Sequence, residues 1–202
     1  PDSKTLKIIQ DKSTQKKFFI KNDIPTANYK HYKSLNDLDT IKYPCVWKKT
    51  KFGYDGYGVK ILKSNDDIKN LPETEFIIED LVPFKKELAT TIARNKSGQI
   101  EIFPIVEMMF NEVSNQVEYV LCPAQISSEI NEKAKKIALK VSESFKQVGL
   151  LAVEMFLTHD NKILINEVAP RPHNSAHYSI ESCINSQFDQ HINSILDLPL
   201  GS

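Results

Sequence analysis

Two runs near the end of the chain, Leu150–Thr158 (LLAVEMFLT) and Lys162–Val168 (KILINEV), each carry one glutamate among apolar residues. Both are rich in β-branched, aliphatic and aromatic side chains, and His159-Asp160-Asn161-Lys162 between them reads as a turn. A primed turn centred on Asp160 and Asn161, which tolerate positive φ, pairs His159 with Lys162 and sets Glu154 opposite Glu167. Like charges so placed repel. With Ala152, Phe156, Ile163 and Ile165 expected on the same face, nothing on these strands neutralises the pair. A divalent cation with oxygen ligands would, and Mg²⁺ usually comes with phosphates. The alternative is a surface hairpin with both carboxylates in water, since Glu is seldom buried unless paired.

Three other segments could carry chemistry. Gly53-Tyr54-Asp55-Gly56-Tyr57-Gly58 holds three of the six glycines. Backbone N–H groups in such a loop can close over phosphates because no Cβ blocks the approach. No GKS or GKT follows, so it is not a P-loop. Lys48, at the end of the preceding strand, could set an ammonium against the same phosphates; a plain hairpin turn beside a solvated lysine is the other reading. In Asn166-Glu167-Val168-Ala169-Pro170-Arg171-Pro172-His173-Asn174-Ser175, two prolines stiffen a loop straight after the glutamate strand. The Arg171 guanidinium suits bicarbonate, carboxylate or phosphate oxygens. His173 and His177 have i, i+4 spacing, but without HExxH a zinc site is not supported. Glu79-Asp80-Leu81-Val82 ends an apolar strand and Glu87 follows. A strand hinge can meet an adenine edge, and a nearby carboxylate can take ribose hydroxyls.

These segments need elements to hold them. Residues 11–22 read as a short helix burying Phe18 and Phe19. Strands are expected at Thr26–Tyr32, Tyr43–Lys49, Val59–Lys63 and Glu75–Leu81. Ser34 and the Ser64-Asn65-Asp66-Asp67 capping box open brief helices. A meander follows: Glu87–Asn95, a Lys96-Ser97-Gly98 turn, Gln99–Met109 and Gln116–Leu121. A long helix capped by Ser127 or Ser128 carries Ala134, Ile137, Ala138, Val141 and Phe145 at helical spacing and ends at Gly149. Met108, Met109 and Phe110 read as core. Helices are expected from Ser175 and over Gln187–Leu198, the latter opened by Ser186 and Asp189. Without a regular βαβ rhythm, α+β layers are favoured.

Composition narrows the class. The 202 residues are 41% hydrophobic and 26% charged, with formal net charge zero. Arg94 and Arg171 are the only arginines, and no basic tail marks a nucleic-acid footprint. Cys45, Cys122 and Cys183 are widely spaced and odd in number, which favours a reducing, cytoplasmic setting over a disulfide or zinc framework. No apolar run approaches transmembrane length.

Taken together, Gly53-Tyr54-Asp55-Gly56-x-Gly58, Ala152-Val153-Glu154-Met155-Phe156 and Asn166–Ser175 resemble the ATP-grasp superfamily. Within it they resemble the central domain of the N5-carboxyaminoimidazole ribonucleotide synthetases, from about Gln10 to the end. That resemblance implies an ATP-grasp fold of two α/β subdomains whose antiparallel sheets sandwich the nucleotide. Residues 1–82 would hold the lid hairpin (43–63), and residues 83–202 the metal and catalytic loop (150–178). Lys12 and Lys48 would hold ATP phosphates under a lid from Gly53 to Val59. Glu79, Asp80, Leu81 and Val82 would meet the adenine and Glu87 the ribose. Glu154 and Glu167 would bind Mg²⁺, with Mn²⁺ as a substitute, and Asn166 beside them. Tyr54 and Asp55 would face 5-aminoimidazole ribonucleotide; Arg171, His173 and Asn174 would line the bicarbonate region.

The implied reaction is ATP-dependent carboxylation of that ribonucleotide through carboxyphosphate, a step of de novo purine biosynthesis. Partners would be ATP, bicarbonate and the ribonucleotide, with no nucleic acid or membrane; many members are homodimers. Members also carry an N-terminal Rossmann-like domain and a small C-terminal domain, so these 202 residues alone are expected to be largely inactive. Three positions depart from the pattern: Phe52 where a glycine is usual, Tyr57 where Lys or Arg is usual, and Phe110 near a position some members give to His. Another ATP-grasp ligase with a different acceptor, or a non-catalytic nucleotide-binding module, are the competing functions.

Overall fold

Two aspartates open the first two helices. Asp2 accepts from the Thr5 N–H and caps α1 (Ser3–Ile9); Asp11 accepts from the Thr14 N–H and caps α2 (Lys12–Lys21). Such side chains satisfy N–H groups that a helix start leaves unpaired. The structure is a computed structural model and describes residues 1–53, 58–111 and 116–201. The sequence-predicted site residues Tyr54, Asp55, Gly56 and Tyr57 lie outside the described residues.

The first sheet has four strands in the order β1-β4-β2-β3: β1 (Tyr29–Tyr32), β2 (Cys45–Lys49), β3 (Val59–Leu62) and β4 (Phe76–Asp80). Its core is small, built on Tyr32, Trp47, Leu62, Phe76 and Ile78. The second sheet has the order β10-β9-β5-β7-β8, with β6 also on β5. These are β5 (Phe84–Arg94), β6 (Ile100–Ile102), β7 (Val106–Phe110), β8 (Val117–Leu121), β9 (Gly149–Thr158) and β10 (Ile163–Ala169). All named strand pairs are antiparallel. α3 (Ser128–Phe145) lays Ala134, Ala138, Val141 and Phe145 on this sheet. From the other end, α2 adds Phe19, and Phe18 stacks on Phe145 with ring centroids 4.1 Å apart. α4 (Ser179–Ser182) and α5 (Gln187–Leu196) close the chain. Among the described residues no helix is long and apolar enough to cross a membrane.

Most expected elements are present, with shifts. Thr26 does not begin a strand; it makes one parallel bridge to Ile165, and β1 starts at Tyr29. The Ser34 and Ser64 capping boxes open 3₁₀ turns rather than α-helices. Gly149 does not end α3. The left-handed residue is Lys146, φ 51°, whose N–H bonds back to the Ser142 carbonyl, while Gly149 (φ 105°) opens β9. The segment from Ser175 is a 3₁₀ turn and a single short helix, not one continuous helix. Of the three residues expected in the core, Met108 is buried, while Met109 and Phe110 are only half-buried.

The hairpin carrying the glutamates corrects the expected register. Thr158, not His159, pairs with Lys162: the Thr158 N–H donates to the Lys162 carbonyl at 2.9 Å, and the Thr158 hydroxyl accepts from the Lys162 N–H at 2.9 Å. That leaves a three-residue loop in which only Asn161 is left-handed, φ 59°. Leu157 therefore faces Ile163 and Met155 faces Ile165. Ile163 and Ile165 consequently lie on the core face, opposite to the expectation. Each is 1% exposed, as are Met155 and Leu157, and burying such a side chain is worth about 1.5–3 kcal/mol. A one-residue slip would turn all four to solvent, so this register is strongly held. Between Ile165 and Val168 a β-bulge restores the register that Glu154 and Glu167 need. Asn166 and Glu167 together oppose Glu154, the two-against-one arrangement that bulges produce.

Candidate active site

The bulge sets a glutamate and an asparagine against the single glutamate of β9. Asn166 Nδ2 donates to Glu154 Oε2 at 3.3 Å, while its Oδ1 accepts from Lys48 Nζ at 3.0 Å. Lys48 comes from β2 of the other sheet, so Asn166 spans the cleft. Lys12, in the first turn of α2, ion-pairs with Glu167. The Lys12 N–H donates to the Thr50 carbonyl at 2.9 Å, tying the start of α2 to the end of β2. Glu87 lies two residues along β5 from Ala89, the residue that pairs with Glu154, and on the same face.

Charge here is unbalanced. Burial, with Glu167 and Glu87 nearby, pushes the Glu154 carboxyl up to about 8. Burial likewise raises Glu87 to about 7, against a smaller opposing pull from Lys48. For Glu167 burial is outweighed by Lys12 and Lys48, which hold its carboxyl below the usual range. Burial also opposes the Lys12 ammonium, yet Glu167, Glu79 and Glu154 keep it above its ordinary value.

Glu79 is 3% exposed and is not an open contact for a base. Its Oε1 pairs with Lys16 at 2.9 Å and its Oε2 with Lys48 at 2.8 Å. The two lysines outweigh the burial that would raise it, so its carboxyl is held low. Asp80 is exposed and accepts from Asn28 at 2.9 Å; Leu81 is exposed and Val82 half-buried where the chain crosses to β5.

His173 is buried and aimed at the bulge, its Nε2 3.3 Å from Glu154 Oε1. Its backbone is clamped by Gln187, which accepts from the His173 N–H at 2.8 Å and donates to its carbonyl at 2.9 Å. The Ser175 hydroxyl lies 2.9 Å from His173 Nδ1. His177 is turned away, with its Nδ1 on Gln187 and its ring stacked on Phe188. Arg171 and Asn174 are exposed on the same loop, and Arg171 Nη1 donates to the Pro172 carbonyl.

A cleft of about 650 Å³ opens beside the bulge, lined among others by Lys12, Thr50, Phe52, Gly53, Glu167 and Arg171. Past the undescribed stretch, Gly58 has φ 81°, and a Cβ there would stand 3.2 Å from Lys49 Cβ, so the loop needs glycine at this point. Val59 follows at the start of β3, 37% exposed. Phe52 is left-handed too, φ 62°, with its ring 84% exposed.

The sequence-predicted residues Lys12, Lys48, Glu154, Asn166, Glu167 and His173 thus meet at one place, with Glu87 on the adjoining strand. Lys16, Gln187 and Ser175 were missed. Lys16 had a signal, since it stands four residues from Lys12 on the same helix face; Gln187 had none.

The donor set suits Mg²⁺. Two facing carboxylates, one held partly protonated, are what a hard cation would displace a proton from. Among the described residues no group of three or more His, Cys, Asp or Glu side chains could hold a metal. The remaining ligands would be phosphate oxygens and water, the usual habit of Mg²⁺.

Two sheets meet here over lysines from α2 and β2 on one side and carboxylates from β5, β9 and β10 on the other. Residues 17–188 match the ATP-grasp domain, and the chain belongs to that family. It is 37% identical over 207 residues to the N5-carboxyaminoimidazole ribonucleotide synthase of Bacillus subtilis, covering 98% of this chain and 54% of that protein. A crystal structure of carboxyaminoimidazole ribonucleotide synthase from Aspergillus clavatus complexed with ATP superposes with a TM-score of 0.93 at 34% identity, over 100% of this chain and 55% of that one. The A. clavatus enzyme in complex with ADP and 5-aminoimidazole ribonucleotide gives 0.87 at 32%, over 100% of this chain and 55% of that one. The chain therefore spans about half the length of these relatives.

Proposed function

We propose that the protein containing this chain uses Mg·ATP and bicarbonate to carboxylate the exocyclic amine of 5-aminoimidazole ribonucleotide, giving N5-carboxyaminoimidazole ribonucleotide in de novo purine (IMP) biosynthesis. The observation that carries this reading is the bulge: Glu154 against Asn166 and Glu167, with Lys48 reaching Asn166 from the facing sheet. The similar enzymes bound to ATP, ADP and the ribonucleotide supply the substrate class.

Lys12 and Lys48 hold the phosphates, and Lys12 exchanges Glu167 for a phosphate oxygen when nucleotide enters. Glu154 and Glu167 would hold Mg²⁺, which would supply charge neutralisation to the transferring phosphoryl group. Backbone from Glu79 to Val82 lies against the adenine, and Glu87 accepts from ribose hydroxyls. A bicarbonate oxygen attacks the γ-phosphorus and ADP leaves. In the resulting carboxyphosphate the bond from the carboxyl carbon to the phosphate oxygen breaks as that carbon bonds to the amine nitrogen, and the departing phosphate takes the proton the amine gives up. His173, fixed by Gln187 and Ser175, stands with Arg171 and Asn174 where bicarbonate would lie. The loop from Gly53 to Val59 excludes water from the labile intermediate. Tyr54 and Asp55, outside the described residues, would by the resemblance contact the acceptor.

The test is ADP release by the intact protein with 5-aminoimidazole ribonucleotide, compared with other amines, in the presence of bicarbonate. Release dependent on both bicarbonate and this ribonucleotide is expected. Equal release with an unrelated amine acceptor would reassign the substrate.

A further inference from the structure

Lys16 has no part in the proposed reaction, yet it is among the most deeply buried charged side chains in the molecule, at 2% exposure. Its ammonium donates to Thr26 Oγ1 at 2.6 Å and pairs with Glu79 Oε1 at 2.9 Å. The Thr26 hydroxyl in turn donates to the Ile165 carbonyl at 2.7 Å, one residue before the bulge. The other oxygen of Glu79 holds Lys48 at 2.8 Å. One buried carboxylate is thus shared between two lysines, and Lys48 continues to a residue of the bulge itself, Asn166.

We propose that Lys16 is a positioning residue for the nucleotide phosphates: by engaging one oxygen of Glu79 it leaves part of the Lys48 charge uncompensated and directed at the bulge. This inference rests on the nucleotide-binding reading of the site. Without Lys16, Glu79 and Lys48 would form a closed one-to-one pair, and an incoming phosphate would have to compete with a buried carboxylate for the same ammonium. With it, the fork carries a net positive charge in a site poorly reached by water. Such a charge is costly unless an anion joins it. Burial, with Lys48 and Lys12 close by, pulls the Lys16 ammonium down to about 8, so holding it charged here opposes folding. The bonds to Thr26 fix where the ammonium stands relative to β10, so the same side chain sets Glu79 and the bulge strand in register.

The test compares Mg·ATP and adenosine binding to the intact protein by calorimetry. The variants are Lys16→Gln, which keeps hydrogen-bonding capacity without charge, and Lys16→Gln/Glu79→Gln, which also removes the competing carboxylate. Lys16→Gln should weaken Mg·ATP binding about tenfold, in line with one charge-assisted contact, and leave adenosine within about twofold. The double variant should regain most of the Mg·ATP affinity, because Lys48 is again uncompensated. Lys16→Arg, which keeps the charge, should bind like the wild type and serves as the readout if Lys16→Gln does not fold. Equal losses for Mg·ATP and adenosine, a double variant no better than the single, or weakened binding by a folded Lys16→Arg would each overturn the inference. A wild type that binds no Mg·ATP would instead remove the nucleotide reading, and the role of Lys16 with it.

Discussion

The two walls of the site are charged in opposite senses and built by different means. On the four-stranded side, Lys16 and Lys48 share the single carboxylate of Glu79, all three side chains being buried. On the six-stranded side, Glu154 faces Glu167 across a β-bulge and, among the described residues, takes only an amide and an imidazole as close partners. The positive wall is a fork of regular elements, one helix and two paired strands. The negative wall depends on an irregularity in its ladder. Each wall alone is miscompensated, and Asn166 joins them without neutralising either. A magnesium nucleotide carries both complementary charges, the cation for the bulge and the phosphates for the fork.

That contrast can be broken from either side. Lys48→Met should weaken Mg·ATP binding by about 2 kcal/mol or more, the scale of a lost hydrogen bond to a charged group. Fold stability should change little, because Glu79 keeps Lys16. Calorimetry beside urea unfolding separates the two, and a variant that loses stability but not affinity would make Lys48 structural. Gln187→Ala acts behind the negative wall. It removes the Gln187 acceptor from the buried His173 N–H, while the His173 carbonyl keeps the Ala176 N–H at 3.1 Å, and should cost about 1–2 kcal/mol of stability. Its effect on Mg·ATP affinity should be the smaller one, since Glu154 and Glu167 keep their strands. The smallest change is expected at Phe52→Gly, which relieves a left-handed phenylalanine but adds chain freedom to the unfolded state. A net gain no larger than about 1 kcal/mol in thermal unfolding would fit; a clear loss would show that the exposed ring packs against something.

The glutamate pair was legible because each carboxylate interrupts an apolar strand, where an uncompensated charge is costly and so demands a partner. The path to it was not. The expected two-residue turn is displaced by the Thr158 hydroxyl, which captures the Lys162 N–H and widens the loop to three residues. The register is then recovered by a bulge that nothing in KILINEV announces. Two deviations of opposite effect gave the anticipated pairing, and Ile163 and Ile165 record the difference by lying in the core. The α+β class, the long helix and most of the strand meander followed from periodicity and capping residues; the strand expected over Gln99–Met109 is instead β6 and β7, parted at residues 103–105, where Pro104 can donate no ladder hydrogen bond. The fork did not follow, because the spacing of Lys16 from Lys12 marks a shared helix face but not a buried carboxylate partner. Only the approach of Glu79 from a strand more than sixty residues away makes it special. The His173 clamp is equally silent, since Gln187 lies on a helix read for its cap and not for its buried first turn.

The central claim is that positions 154 and 167 are paired in order to hold magnesium on a nucleotide. Titrating Mg·ATP into the intact protein and into Glu154→Gln/Glu167→Gln, with and without Mg²⁺, tests it most directly. The wild type should bind in a Mg²⁺-dependent manner. The double variant, relieved of its like charges and still folded, should lose at least about a hundredfold in affinity and all dependence on the metal. Unaltered affinity with the same response to Mg²⁺ would contradict the account.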